Sequence, residues 1–301
     1  MPNRYRSFFW PGVLILVGVF ALLINAGLVP TDRLYRLADL WPLILIVIGL
    51  ELLVRRAMQG TAAEIAAVLI VLLALGGAVA YVAVGPATST GTLQASAPLE
   101  GLDHMTVRID VGAANITVRG DSSLGSNLYQ ARINYSGTKP TVRLDRSNHD
   151  LSISQSGTFG FFQNRRFMLD LQINPKVLWR IFANSGAATD TFNLAGVNVE
   201  SMELNTGASR HDITLGEPTG TVPISLNGGA LTVNIHRAQR TAISVEVSGG
   251  AISLDADGNR HRGVGNQSWH SDGYDGAANR YQIEINGGAS TVTIDAAGAS
   301  G

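Results

Sequence analysis

Gly228-Gly229-Ala230-Leu231-Thr232-Val233-Asn234-Ile235-His236 sets out the pattern that decides this chain: a glycine-alanine corner, then strict alternation. Leu231, Val233 and Ile235 alternate with Thr232, Asn234 and His236, and a side-chain period of two puts the apolar set on one face of a strand. The alternation returns at Val107, Ile109 and Val111, at Ile243, Val245 and Val247, and at Tyr281, Ile283 and Ile285. The corner returns too, as Val111-Gly112-Ala113, Ser185-Gly186-Ala187, Thr206-Gly207-Ala208, Gly249-Gly250-Ala251 and Gly287-Gly288-Ala289. From Gly186 onward the corner glycines stand 21, 22, 21 and 38 residues apart. A near-constant period of this size is the signature of stacked coils. Residues 99–301 are therefore predicted to form a repetitive all-β domain, a parallel β-solenoid. A β-sandwich is the alternative, since regularly spaced short strands also build one.

Two further expectations attach to the corners. Each glycine is expected to turn with positive φ, and each alanine to point into a tight bend. On that reading Gly250→Val costs on the order of 1–3 kcal/mol, and Gly273→Val, in a surface loop, much less. The spacing of 38 reads as one or two coils with an altered loop. A hydrophobic stretch at residues 159–162 and 167–182 is expected to serve as core and edge cover.

The chain before the β-domain has another character. Residues 1–85 are dominated by Leu, Ile, Val and Ala, with apolar stretches at 8–29, 40–54 and 65–85. A helix needs about 20 mostly apolar residues to cross the hydrocarbon core. Three membrane helices are predicted at about 8–29, 36–56 and 64–85, the second extended by residues 34–39 and by snorkelling Arg55 and Arg56. A cleaved signal peptide is the alternative for the first, but its apolar run is too long and no small-x-small cleavage site follows. Residues 86–98, small and polar, read as a linker.

The first two segments repeat one another. Trp10-Pro11-Gly12-Val13-Leu14-Ile15-Leu16-Val17-Gly18 aligns without a gap to Trp41-Pro42-Leu43-Ile44-Leu45-Ile46-Val47-Ile48-Gly49. Trp suits the headgroup level, Pro the first helical position, and Gly18 and Gly49 close helix packing. Glu51, four residues before Arg55, reads as an interfacial ion pair. With the N-terminus inside, Arg4, Arg6, Arg55 and Arg56 are cytoplasmic and only Arg33 and Arg36 lie outside. That bias puts the β-domain outside the cytoplasm.

Charge and composition exclude several functions. Residues 1–85 hold six Arg and four acids, and the rest sixteen Lys and Arg against nineteen acids. Neither part has the basic excess that binding phosphate backbones requires, so nucleic acid is not an expected partner. Cysteine is absent, which removes disulfides, thiolate metal sites and Cys nucleophiles.

Two regions resemble known families. The Trp-Pro repeat of residues 9–58 resembles the transmembrane region of LiaI- and LiaF-like proteins of bacterial envelope-stress systems. Asn174-Pro175-Lys176-Val177, Ser185-Gly186-Ala187, Phe192-Asn193-Leu194-Ala195-Gly196-Val197 and Leu204-Asn205-Thr206-Gly207-Ala208 resemble the toast-rack and adhesin-like β-domains often fused behind it. The resemblance implies a part in the response to cell-wall-active antibiotics, in which LiaF-like members restrain a histidine kinase. Such proteins often carry four helices, against the three predicted here.

Few residues of the chain fall into chemically suggestive patterns. Lys139 and Lys176 are the only lysines and neither follows a phosphate loop. Gly120-Asp121-Ser122-Ser123-Leu124-Gly125 approaches a nucleophile elbow with the wrong spacing. Residues 255–280 carry Asp255, Asp257, Asp272 and Asp275 with His261, Trp269, His270 and Tyr274. Asp255-Ala256-Asp257-Gly258-Asn259 matches part of a calcium loop, but the closing glutamate is missing and turn chemistry explains the residues. Trp269, His270 and Tyr274 form a candidate ligand-contact loop able to stack on a sugar ring. Phe159-Gly160-Phe161-Phe162-Gln163-Asn164-Arg165-Arg166 mixes aromatic and basic groups, as a loop tip or a lipid contact would. No catalytic, metal or cofactor residue is assigned. The expected function is a non-catalytic, multi-pass envelope protein that senses stress or scaffolds. The alternative is a surface adhesin or glycan-binding module; a β-helix carbohydrate enzyme would need paired carboxylates where outward positions here are mainly Thr, Ser and Asn. The expected partners are the lipid bilayer and either a membrane protein such as a sensor kinase or a cell-wall glycan.

Overall fold

The computed structural model describes residues 90–155 and 167–297, together with five helical positions: Leu50, Ile70, Leu73, Gly76 and Gly77. Among the described residues no helix is long and apolar enough to cross a membrane. Apart from those five positions the three predicted spans lie outside the described residues, with Trp10, Pro11, Gly18, Trp41, Pro42 and Gly49. So do residues 159–166. The chain divides into two units, and Ser89–Gly157 with Arg165–Gly301 is the β-domain.

Six long strands run parallel: β2 (His104–Gly120), β7 (Leu178–Leu194), β8 (Asn198–Leu215), β9 (Thr221–Ala238), β10 (Ala242–Ala256) and β12 (Arg280–Ala297). Each carries a corner at its middle, where the side-chain alternation changes phase. In β2, Val107, Ile109 and Val111 point inward, then Gly112 and Ala113 are both exposed, then Ala114, Ile116 and Val118 point inward. Two consecutive outward residues fold the strand over, so its two halves enclose one core. That core gathers inward residues from both halves of every long strand, and burying each large aliphatic side chain stabilises the fold by about 1.5–3 kcal/mol.

The corners align across the sheet. Ala113 pairs with Ala187, Ala187 with Ala208, Ala208 with Ala230, Ala230 with Ala289 and Ala289 with Ala251. The expected reason for glycine is corrected here. Among the described residues positive-φ glycines stand at Gly101, Gly125, Gly137, Gly220, Gly258, Gly265 and Gly273, and the corner glycines are not among them. Stacking excludes a side chain instead. A Cβ on Gly207 would lie 2.4 Å from the carbonyl oxygen of Gly186, and one on Gly229 would lie 2.9 Å from that of Gly207. On Gly288 it would meet the Gly229 oxygen at 2.8 Å. The corner alanines likewise point outward to solvent rather than into the bend.

Among the six long strands, order departs from chain order at one place. Across the sheet the long strands run β2-β7-β8-β9-β12-β10, so the last strand lies between β9 and β10. The chain steps over one position after β9 through residues 239–241, lays down β10, and returns antiparallel along it as β11 (Asn259–His270). It then fills the gap with β12. The spacing of 38 therefore holds an antiparallel edge strand and not an altered coil.

At the other end the two halves of β2 take different partners. The first half pairs with β5 (Asp150–Ser154) and through it β4 (Thr141–Asp145). The second half pairs with β6 (Phe167–Ile173), then β3 (Asn127–Ser136), then β1 (Thr90–Pro98). Most of the predicted linker is thus strand β1: Leu93, Ala95 and Ala97 pack against the core behind exposed polar neighbours. The turn between β6 and β7 is clamped by Asn174, whose Nδ2 donates to the carbonyls of Gly125 and Asn127, and whose own carbonyl accepts from Trp179 Nε1 at 2.9 Å.

Gly273 has φ +73°, so it is strained by any side chain and cannot serve as the tolerant control for Gly250. The structure supplies a better pair. Gly207→Ala should lower stability by roughly 1–3 kcal/mol, whereas Gly112→Ala, with nothing within 4 Å of the added Cβ, should be close to neutral. Denaturant melts of the two variants check this, and equal losses would remove the carbonyl contact as the cause.

Candidate functional site

The loop singled out from sequence is only partly assembled. Trp269 lies opposite Val245 on β11 and is half-buried against the core, so its ring is committed to packing. His270 is exposed, with its ring centroid 6.1 Å from that of Tyr274. Tyr274 opens a short 3-10 turn, Tyr274–Gly276, after Gly273 in the left-handed conformation. The Arg280 guanidinium lies 5.1 Å from the Tyr274 ring centre, within cation–π range. The surface group is therefore His270, Tyr274 and Arg280, an imidazole, a phenol and a cation in one row.

Two of the four aspartates of the loop are already partnered. Asp255 accepts from Arg260 Nε at 2.7 Å, and Asp257 pairs with Arg237. Asp272 and Asp275 are exposed. Among the described residues no three His, Cys, Asp or Glu side chains converge as metal ligands. Gly120-Asp121-Ser122-Ser123-Leu124-Gly125 forms a short turn, in which the Asp121 carboxylate accepts from the Ser123 backbone at 2.8 Å.

Two features of the coils were missed from sequence. The first is a ladder on the outer face. Asn286 donates to Asn227 at 3.0 Å, Asn227 to Asn205 at 2.9 Å, Asn205 to Asn184 at 3.0 Å, and Asn184 to Asp110 at 2.7 Å. Each residue stands two positions before a corner glycine, which is the signal the sequence offered. The run ends on a carboxylate, a group that only accepts. The row beside it runs Glu203, Ser225, Glu284 and Glu246. The second feature is a buried pair, Asp190 and His211, on the inward face of β7 and β8.

A third polar group is outside. His236 Nδ1 lies 2.7 Å from Asp295 Oδ1, and its Nε2 is 3.8 Å from Asp212 Oδ2. The hydrogen bond to Asp295 holds the imidazole above its ordinary range, against an opposing effect of burial. A raised folded-state value means the stabilisation is complete below about pH 6.5 and is lost as pH rises through the folded value. Thermal melts between about pH 5 and 9 should show that loss, and His236→Gln should flatten it. An unchanged pH slope in the variant would remove His236 as its source.

Comparison with known proteins fits this geometry. Residues 86–236, half of the chain, match the family described as the N-terminal domain of toast_rack (DUF2154). Residues 9–93 match the LiaF transmembrane domain. Among solved structures, a candidate cell adhesion protein from Clostridium sporogenes is 16% identical, with a TM-score of 0.58 over 69% of this chain and 100% of that one. A candidate adhesin from Bacteroides fragilis is 7% identical, covers 70% of this chain and 99% of its own, and has a TM-score of only 0.21. No curated protein matches the chain. The first likeness shows a shared fold. With half its length under one family profile, the chain belongs to the toast-rack family and carries a LiaF-type transmembrane domain ahead of its β-domain.

Proposed function

We propose that this is a non-catalytic protein of the bacterial cell envelope, anchored by several membrane helices, that senses stress or scaffolds in the response to cell-wall-active antibiotics. The observation that carries the reading is the LiaF-type transmembrane domain followed directly by a coil stack with a filled interior. Aliphatic side chains occupy the inside of each coil, so a partner meets the outer faces. Those faces are lined mainly by polar side chains along long strands, which suits a macromolecule better than an enclosed small molecule. The arginine bias of residues 4–56 supports a β-domain outside the cytoplasm. Gly18 and Gly49 are suited to close contact with a membrane partner such as a sensor kinase.

A second reading, a glycan-binding or adhesive module, draws on the exposed His270 beside Tyr274 and Arg280. An aromatic ring backed by a cation can stack on a sugar face. A glycan array with the β-domain separates the two readings, and loss of a hit in Tyr274→Ala would favour adhesion.

Topology and role are tested together. A reporter active only in the cytoplasm, fused after Gly301, should stay silent; a bright signal would mean an even number of spans. Deletion should alter survival under cell-wall-active antibiotics. Gly18→Leu combined with Gly49→Leu should leave insertion intact, Leu being as apolar as lipid, while reducing co-purification of a membrane partner. Unchanged survival together with no partner would end the regulatory reading.

A further inference from the structure

One inward row of the coil stack breaks the rule that its neighbours keep. Across the sheet Ile116, Asp190, His211, Val233, Val292 and Leu254 occupy equivalent positions. Four are aliphatic, as a closed interior requires. Asp190 and His211 are 1% and 0% exposed, in a place where an ion pair is a poor stabiliser compared with packed aliphatic groups. The contact is also imperfect as a structural device. His211 Nδ1 lies 2.9 Å from Asp190 Oδ2, yet neither carboxylate oxygen nor Nδ1 makes a well-aligned hydrogen bond.

The other side of the imidazole meets a hydroxyl. His211 Nε2 is 2.7 Å from Ser209 Oγ, and Ser209 Oγ is 2.7 Å from Thr206 Oγ1. Ser209 and His211 are two apart on β8 and so face the same way, while Asp190 is the register neighbour of His211 on β7. Carboxylate, imidazole and hydroxyl thus stand in the order that activates a serine. Ser209 is half-buried and follows the exposed corner Gly207-Ala208, so its hydroxyl lies just beneath the surface.

We propose that Ser209 is a nucleophile, with His211 as its general base and Asp190 as the residue that positions His211, and that it takes an acyl group from small carboxylic esters reaching the corner. The Asp190 carboxylate, 2.9 Å from His211 Nδ1, favours the tautomer with its proton on Nδ1 once the two groups align, which leaves the Nε2 lone pair for the Ser209 hydroxyl. Ser209 Oγ attacks the ester carbonyl and its proton passes to Nε2. The ester C–O bond then breaks, and the leaving alkoxide takes that proton and departs as the alcohol. The product is an acyl ester on Ser209, with no change of oxidation state. With the Ser209 proton on the His211 side, Thr206 Oγ1 is left as the donor in its 2.7 Å contact with Ser209 Oγ, which helps to hold the serine rotamer. This is a single covalent modification and is independent of the envelope role proposed above.

The test uses the full chain in detergent micelles with a fluorophosphonate probe, which reacts with activated serines, and peptide mass spectrometry to locate the label. Native protein should be labelled at Ser209, and protein unfolded by heat before labelling should not. Ser209→Ala should abolish the label. His211→Gln and Asp190→Asn should each slow labelling by roughly 100-fold or more, the scale of a general base. Melting temperatures are measured beside the rates, because a purely structural Asp190 would move the melt and leave the rate of the folded fraction alone. Absence of label on Ser209 in native protein overturns the proposal whatever the variants do. So does a folded His211→Gln chain that labels as fast as the parent.

Discussion

The fold rests on the close approach of one backbone to the next at the corners. The Gly186 carbonyl oxygen occupies the space that a Cβ on Gly207 would need, and the contact recurs from Gly207 to Gly229 and from Gly229 to Gly288. Displacing β8 along β7 by one residue in either direction would bring the side chain of Thr206 or Ala208 against the Gly186 oxygen. The shift would also turn the strand's whole apolar set outward. Register is therefore held twice, once by steric exclusion at the bend and once by burial on either side of it.

The asparagine ladder follows from that register. Because the corners align, the residue two positions earlier aligns as well, and an amide at each such site can donate to one neighbour while accepting from the other. Every donor along the run from Asn286 to Asn184 points the same way, toward β2, where Asp110 accepts from Asn184. Chains of such bonds polarise one another, so a terminal carboxylate that only accepts is the fitting end. An asparagine there could point its own amide donor back at Asn184, and a lysine would repel it outright.

Much of this was legible in residues and some was not, for physical reasons. The alternation of Leu231, Val233 and Ile235 and the recurrence of Gly-Ala told the period, because both are local. The cause of the glycines was not legible: positive φ and inter-coil contact leave the same residue in the sequence, and only the neighbouring carbonyl distinguishes them. The placement of β12 was hidden for a related reason. Arg280–Ala297 carries the same pattern as β9 and β10, and nothing local says which two strands it will separate. Residues 90–98 read as a linker because their inward side chains, Leu93, Ala95 and Ala97, are mostly small. Ser209, His211 and Asp190 were passed over because each alone looks like a polar break in a strand, and only the stacking of β8 on β7 brings them together. Trp269 reads as a loop residue in the sequence, but it stands next to last in a strand whose other face is solvent.

The insertion of β12 also bears on how the stack ends. A sheet edge with free backbone groups invites another chain to add to it. Had the strands followed chain order, β12 would be that edge, with eighteen residues of regular parallel register exposed. By turning back as β11 and tucking β12 inside, the chain presents instead a shorter antiparallel strand of twelve residues, Asn259–His270. It carries Arg260 and Arg262 and is interrupted at Gly265, which has φ +87°. Its pairing with β10 shifts register between Gly249 and Ile252, so this edge is irregular in its backbone as well as lined by charged side chains. The parallel stack is thus closed by a strand that a further coil cannot match, and the price is a β10 that must wait for the final strand before its second edge is paired.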